Sequence, residues 1–265
     1  MVESLYQIVA GLYLIASVAA AAAYSLSHQG LARVAVSTLI LGWGLHVLGF
    51  ATLHTLDPAP PLTDPGVLLS FMACVGVGAF LLLLRRRRLL GLVAFVAPLA
   101  FISVFFGQLS FAAAGDSGGA SPGLLEHAHV LLASAGIAFL ALGSLAGELF
   151  LVEHRRLKRK RGPQRGGLLP SLEALDRASS VALLMGFSLL SLGVVSGGIW
   201  IQRFGSLSGS DVHVLTFALF WVVYAGLVVQ RFGVRASARQ CAIGSVAGFV
   251  LLMLMLGLLG SEWLL

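Results

Sequence analysis

Charged residues are scarce in this sequence, at 11% of its 265 residues, whereas hydrophobic residues make up 58%. A soluble domain carries roughly 25% charged residues, so this composition excludes an ordinary soluble globular protein. Long apolar runs separated by short polar segments predict instead a chain that crosses a membrane several times.

Motifs for common enzymatic and metal chemistry are missing as well. The two cysteines, Cys74 and Cys241, lie in apolar runs and form no C-x-x-C-H motif, which excludes covalent haem attachment through that motif and a disulfide framework. There is no H-E-x-x-H motif, no P-loop and no pairing of a nucleophile with a base. We therefore do not expect an ordinary enzyme, nor a zinc or copper site.

The positive charges are confined to a few segments. Sixteen of the 17 lysines and arginines lie at Arg33, 85–88, 155–177 and 231–239, and only Arg203 lies elsewhere. Lysine and arginine next to a span resist translocation, so these segments are predicted to be cytoplasmic and both termini to lie outside. The net charge of +6 then reflects topology, and we expect no nucleic-acid partner.

Eight apolar segments are long enough to cross the hydrocarbon core of a bilayer, which is about 30 Å thick. The predicted fold is all-α: a polytopic eight-helix transmembrane bundle that forms one domain over 1–265 in the cytoplasmic (inner) membrane of a bacterium. The predicted spans are about 4–27, 34–55, 67–84, 89–108, 124–153, 178–202, 212–230 and 240–260. Ser171 is expected to cap a short amphipathic turn, 171–177, before the sixth span.

Small residues indicate how the spans pack. Pairs of glycines four residues apart leave a groove where a neighbouring backbone can approach closely. Three such pairs occur within spans: Gly143 and Gly147, Gly193 and Gly197, and Gly244 and Gly248. We interpret them as packing sites within one bundle; the alternative is that one pair forms the seam of a homodimer.

Histidine is the polar residue whose distribution is informative about function. Ionisable residues within a membrane are costly and tend to be functional. Five of the seven histidines map to the outer half or outer mouth of the predicted spans: His46, His54, His127, His129 and His213. Neutral imidazoles from facing helices of an apolar bundle suit the axial positions of haem iron.

His46 lies about nine residues below the outer end of its span. Gly42, Gly44 and Gly49 thin the helix around it, and Trp43 lies one turn away, an arrangement that suits the approach of a flat macrocycle. The alternative is a histidine that only bonds a backbone carbonyl or a serine of a neighbouring helix.

His129 and His213 stand at the outer ends of the fifth and seventh spans. His129 heads a continuous apolar run and lies about 200° from His127 around the helix, so His129 is expected to face the bundle and His127 the rim. His54 is also expected at the rim. We predict a haem pocket built on His129 and His46, about 5–10 Å apart in depth by helix rise, with His213 as an alternate ligand.

Several short motifs resemble the cytochrome c assembly family of haem-handling membrane proteins. They are Ala128-His129-Val130-Leu131-Leu132-Ala133-Ser134, Glu153-His154-Arg155-Arg156-Leu157-Lys158, the run 169–177, and Ser196-Gly197-Gly198-Ile199-Trp200. The eight-span layout and the histidine in the second span are most similar to the shorter HemX and YpjD branch. The resemblance implies non-covalent, b-type haem, and it matches His129 to the family's first external histidine.

The sequence also departs from the family pattern. In place of a tryptophan-rich external segment it has 202–211, and only Trp200 and Asp211 correspond to residues of that segment. The family's second external histidine has no counterpart in this sequence. His213 is not a match to a family motif. These departures argue against ligation of haem to an apocytochrome.

The resemblance implies a protein that binds, transfers or senses haem, in association with cytochrome c assembly or haem homeostasis. The implied partners are haem, the lipid bilayer, and either another cytochrome-assembly membrane protein or a cytoplasmic enzyme of haem synthesis. Two alternatives stand beside it: a non-catalytic membrane scaffold or regulator of haem synthesis, and a transporter of a small solute.

Overall fold

A computed structural model describes residues 2–53, 64–84, 89–113, 124–159, 170–204 and 211–261. In these residues the chain forms eight α-helices and no strand: α1 (Val2–Leu26), α2 (Gln29–Leu53), α3 (Pro65–Leu84), α4 (Val93–Ala113), α5 (Leu124–Lys158), α6 (Leu172–Phe204), α7 (Asp211–Val228) and α8 (Ala238–Ser261). A 3₁₀ turn, Leu90–Leu92, precedes α4, and a π-helical turn, Val229–Gly233, follows α7. The predicted all-α class is confirmed.

All eight of these described helices are long and apolar enough to cross a membrane. A span needs about 20 mostly apolar residues, and each helix supplies them without an interrupting charge cluster. This confirms a multi-pass membrane protein with eight spans. The sides of the membrane on which the termini lie, the assignment to a bacterial cytoplasmic membrane, and the single domain over 1–265 stay predictions.

The second helix begins earlier than the sequence predicted. Ser27 adopts a positive φ of 52°, which ends α1 and turns the chain. His28 then caps α2, because its Nδ1 accepts a hydrogen bond from the Leu31 amide at 3.3 Å. Gln29 is therefore already helical, and only two residues separate the first two spans.

The sixth helix also begins early, at Leu172. Its first turns are the segment 171–177, so this segment is not a separate amphipathic turn but runs directly into the span. The predicted cap is confirmed, since Ser171 Oγ accepts a hydrogen bond from the Ala174 amide at 3.3 Å.

The helices group into two compact units by their contacts. The first unit contains α1 to α4, and the second contains α5, α7, α8 and α6 from Leu175 onward. In the first unit, α1 packs on α2 and α4, and α4 packs on α3. A Cβ atom at Gly107 of α4 would lie 2.9 Å from the Gly66 carbonyl oxygen of α3, so this helix pair approaches closely only because position 107 is glycine.

Close glycine contacts also hold the second unit together. A Cβ atom at Gly136 of α5 would lie 2.8 Å from the Leu190 amide nitrogen of α6. The glycine pairs predicted as packing grooves all meet a neighbouring helix of this unit: Gly143 and Gly147 meet α6 and α8, Gly193 and Gly197 meet α5, and Gly244 and Gly248 meet α7. Packing within the chain is thus confirmed for these grooves, and the homodimer stays a prediction.

Candidate functional site

His46 lies inside the first unit with 0% of its surface exposed. Both ring nitrogens have partners: Nδ1 is 3.1 Å from the Tyr13 hydroxyl of α1, and Nε2 is 2.8 Å from Ser70 Oγ of α3. A neutral imidazole donates through one nitrogen and accepts through the other, so these two contacts satisfy it. The contact with a serine of a neighbouring helix is the alternative that the sequence left open for this residue.

Aromatic rings of α1 fill the space beside His46. The rings of Tyr6 and Tyr13 approach the imidazole edge-on, each with its centroid 5.8 Å away. A Cβ atom at Gly42 would lie 3.0 Å from the Tyr13 ring, and one at Gly49 would lie 3.4 Å from the Tyr6 ring. Two of the glycines expected to admit a flat macrocycle therefore admit tyrosine rings.

A second polar contact joins α2 to α3 one turn away. Trp43 Nε1 donates to the Cys74 carbonyl at 2.9 Å. A Cβ atom at Gly78 would lie 2.9 Å from the same nitrogen, so the indole ring packs closely against the backbone of Gly78. Hydrogen bonds between spans tie the helices together in a register, because an unsatisfied polar group in hydrocarbon is costly. In this structure His46 and Trp43 join α2 to its neighbours.

His129 lies in the second turn of α5, in the second unit, and is partly buried. Its Nδ1 is 2.7 Å from the Gly193 carbonyl oxygen of α6. A carbonyl can only accept, so Nδ1 carries the proton and donates it. A neutral imidazole with its proton on Nδ1 has its lone pair on Nε2, which is the form in which histidine binds a metal.

The glycine pair of α6 makes room for this imidazole. A Cβ atom at Gly197 would lie 2.7 Å from both Cε1 and Nδ1 of His129. A Cβ atom at Gly193 would lie 3.0 Å from Ala133, one turn further along α5. Sequence reasoning assigned these glycines to helix packing alone. Their position toward the C-terminal end of α6, opposite the N-terminal turns of α5 in an antiparallel pair, is the signal that links them to His129.

Contacts of α5 and α7 with α6 set the relative levels of these three helices in the second unit. α5 runs antiparallel to α6, because its first turns meet Gly197 while Gly143, further along, accepts a hydrogen bond from Ser179 Oγ at 3.0 Å. α7 also runs antiparallel to α6. Trp221 Nε1 of α7 donates to Ser191 Oγ at 2.9 Å.

An ion pair fixes the same register at the other end of α6. Arg231, in the π-helical turn after α7, donates through Nη2 to Asp176 Oδ2 at 2.6 Å. This pair and the tryptophan contact agree on how α7 lies along α6.

His213 stands in the first turn of α7, and its level follows from these two contacts. It precedes Trp221, which contacts Ser191, by eight positions and Arg231, which contacts Asp176, by eighteen. Because α7 runs antiparallel to α6, His213 lies opposite residues 194–199 of α6. His129 contacts Gly197 within the same stretch. At about 1.5 Å of rise per residue, the backbones of His129 and His213 lie within about 5 Å of one level.

The remaining histidines have other places. His154 stacks on Phe150, one turn earlier in α5, with ring centroids 5.9 Å apart. His28 is exposed and caps α2. Outside the described residues lie His54 and the side chains of His127 and His213.

The predicted pairing of His46 with His129 at one iron stays a prediction, because the two histidines belong to different units. The described part of the chain brings no group of three or more histidine, cysteine, aspartate or glutamate side chains together as a metal site. A site that uses one or two imidazoles around haem iron needs no such group.

Comparisons with known proteins identify the class to which this architecture belongs. The model of the family described as cytochrome C assembly protein matches residues 66–265 of the chain. This match covers most of the chain, including all of the second unit, and it confirms the resemblance. The chain belongs to the cytochrome c assembly family.

Particular relatives fall into two groups. The chain is 35% identical over 85 residues to the cytochrome c biogenesis protein CcsA of Prochlorococcus marinus (strain MIT 9303), a match that covers 32% of this chain and 27% of that protein. It is 26% identical over 238 residues to protein HemX of Brevibacillus brevis, covering 86% of this chain and 85% of that protein. The similarity to CcsA is thus confined to about a quarter of that protein's length, whereas the similarity to HemX extends over most of both chains. Family membership supports a role in cytochrome c biogenesis.

Proposed function

We propose that this chain binds haem non-covalently in the membrane and takes part in cytochrome c biogenesis or haem homeostasis. Two findings support the proposal: membership of the cytochrome c assembly family and the geometry of His129 against α6. The CcsA relatives carry the name of cytochrome c biogenesis proteins, which favours the same process for this chain.

The contact between His129 Nδ1 and the Gly193 carbonyl carries the proposal. Histidines that bind iron through Nε2 donate Nδ1–H to a carbonyl, carboxylate or water, which fixes the tautomer and orients the ring. His129 has this arrangement, with its partner at 2.7 Å. Bound haem supplies an iron that changes oxidation state, while the protein holds the ring, orients the imidazole and excludes water.

His213 is the residue that we favour to hold the haem together with His129. It belongs to the same unit as His129, and its backbone lies within about 5 Å of the same level. His46 is the alternative, but both of its ring nitrogens are engaged, so it would first have to give up Tyr13 or Ser70. We therefore assign His46 chiefly to the packing of the first unit and keep it as an alternate ligand.

The site is proposed to face the outer side of a bacterial cytoplasmic membrane. α5 ends at Lys158 with Arg155 and Arg156 in its last turn, whereas His129 lies near its beginning. Because lysine and arginine at a span end stay in the cytoplasm, His129 lies at the outer end of α5. Haem would be held there as b-type haem, and the proposed partner that delivers or receives it is another cytochrome-assembly membrane protein.

The test is the visible spectrum of the detergent-purified protein with haem added. The wild type is expected to give a low-spin spectrum with a sharp Soret band and split α and β bands after reduction. His129→Ala should abolish binding or convert the spectrum to high-spin, and added imidazole should restore it. His154→Ala, on the same helix but stacked on Phe150, is the matched control and should leave the spectrum unchanged.

Two neighbouring glycines give a sharper pair of variants. Gly197→Ala places a methyl group 2.7 Å from the His129 ring and should remove haem binding as His129→Ala does. Gly198→Ala meets no atom within 4 Å and should have no effect. Equal loss in both variants would show that the helix, rather than the imidazole, was disturbed.

Further single variants identify the second ligand. If His213 binds iron, His213→Ala should match the effect of His129→Ala, and His46→Ala should change the spectrum only as far as it unfolds the protein. A high-spin spectrum in a stably folded His46→Ala variant would assign the second position to His46. His54→Ala and His127→Ala are expected to change little.

A second candidate function is a non-catalytic scaffold or regulator of haem synthesis that acts on a cytoplasmic enzyme. It is the function that the resemblance to the HemX branch implies, and the similarity to protein HemX along 86% of the chain supports that branch. Failure of the folded wild type to bind haem would favour this function over the first.

A further inference from the structure

The Gly193 carbonyl oxygen is the acceptor for several donors. His129 Nδ1 lies 2.7 Å from it, and Ser196 Oγ donates to it at 2.9 Å. As a residue inside α6, Gly193 also offers this carbonyl to the amide four residues later, in the ordinary α-helical hydrogen bond. A carbonyl oxygen has two lone pairs, so these donors compete for it.

We propose that Ser196 is a positioning residue that weakens the hydrogen bond from His129 Nδ1 to Gly193 and thereby sets the strength of His129 as an iron ligand. The inference rests on the proposed function, and it concerns how firmly the same site holds haem. Ser196 acts through the shared carbonyl and does not itself touch the iron.

The physical argument concerns electron density on the imidazole. A strong hydrogen bond from Nδ1–H to a carbonyl raises the basicity of Nε2, and a more basic ligand favours ferric over ferrous iron. Because the Ser196 hydroxyl takes up part of the acceptor capacity of Gly193, His129 donates less strongly than it would to a carbonyl of its own. A weakened ligand suits a protein that has to release haem as well as bind it.

Other serines of α6 show why Ser196 is distinctive. Serine in a helix commonly donates back to the carbonyl three or four residues earlier. Ser188 does so to Leu184 at 2.9 Å, and Ser191 does so to Phe187 at 2.8 Å. The acceptor of Ser196 is shared with a histidine of another helix. Ser188, which is exposed, therefore provides the matched control.

The first measurement uses the protein without haem. In protein labelled with ¹⁵N-histidine, Ser196→Ala should move the His129 Nδ1–H signal downfield, because its hydrogen bond strengthens when the competitor is removed. Ser188→Ala should leave this signal in place. An unchanged His129 signal in Ser196→Ala would refute the competition for the carbonyl.

The second measurement uses the haem-loaded protein. Ser196→Ala should lower the midpoint potential, shifting the equilibrium toward ferric iron by about twofold, the change expected if roughly half of a typical net hydrogen bond is regained. Transfer of ferric haem to apomyoglobin should slow by a similar factor, while Ser188→Ala matches the wild type. If Ser196→Ala binds haem with an unchanged potential and transfer rate, the role of Ser196 is refuted and the proposed function is not. Absence of haem from the folded wild type refutes the proposed function, and the role of Ser196 with it.

Discussion

Replacing His46 with alanine is expected to destabilise the first unit by roughly 4 kcal/mol. The change removes the hydrogen bonds to the Tyr13 hydroxyl and to Ser70 Oγ, in residues with 0% and 1% of their surface exposed. Breaking a buried hydrogen bond by removing one partner costs about 1–3 kcal/mol. The cavity left between the two tyrosine rings adds about 1 kcal/mol.

Side chains that keep one of the two contacts should recover part of this loss. In His46→Gln the amide reaches the position of Nε2 and can bond Ser70, whereas in His46→Asn it reaches the position of Nδ1 and can bond Tyr13. Each variant is expected to recover about 1–2 kcal/mol relative to alanine.

The assay is equilibrium unfolding in mixed micelles, followed by the fluorescence of Trp43. This residue reports on the first unit, because its ring nitrogen donates to the Cys74 carbonyl between α2 and α3. The other three of the four tryptophans are replaced by phenylalanine in the parent protein. His154→Ala serves as the control and should cost less than about 1 kcal/mol, since its half-buried ring has no hydrogen bond across helices among the described contacts.

A loss of less than about 1 kcal/mol in His46→Ala would refute the packing role argued from the two hydrogen bonds. Loss of haem from a variant that remains this stable would assign His46 to the iron. The two measurements together separate a histidine that holds helices from one that holds a metal.

Two further predictions concern topology and the basic segment. Reporter tags at the N-terminus, at the C-terminus and near Asp116 should report the outside and a tag near Gly166 the cytoplasm, because sixteen of 17 cations fall on one predicted side; a cytoplasmic C-terminus would contradict eight spans. Neutralising five cations within 154–165 should leave the haem spectrum intact, since His129 lies at the opposite end of α5. Loss of haem from an inserted, folded variant would contradict the placement of the haem site near His129.

The spans could be predicted from the sequence because length and hydrophobicity alone decide whether a helix can cross a bilayer. Helix boundaries were less predictable, since they depend on caps. The start of α2 is set by a histidine, His28, which is not among the usual capping residues, whereas the cap at Ser171 follows the ordinary preference and was predicted.

The histidines themselves could be identified from the sequence, but their partners could not. His46 is bonded to residues 33 and 24 positions away, and His129 to a carbonyl 64 positions away. Periodicity places residues on one helix and says nothing about which carbonyl or hydroxyl of another helix lies opposite. The predicted difference in depth between His46 and His129 was therefore counted along each helix separately, without knowing how the helices pack.

The proposed choice between the candidate ligand pairs rests on which helices set the levels of the two histidines. The levels of His129 and His213 are set by contacts of α5 and α7 with the same helix, α6, near both of its ends. Two imidazoles that would hold one haem have to lie at matching levels, so a pair whose levels are both set by contacts with one helix is better suited to hold it. The requirement for a preorganised pair therefore favours His129 with His213, and it leaves His46 the role that its two hydrogen bonds already give it.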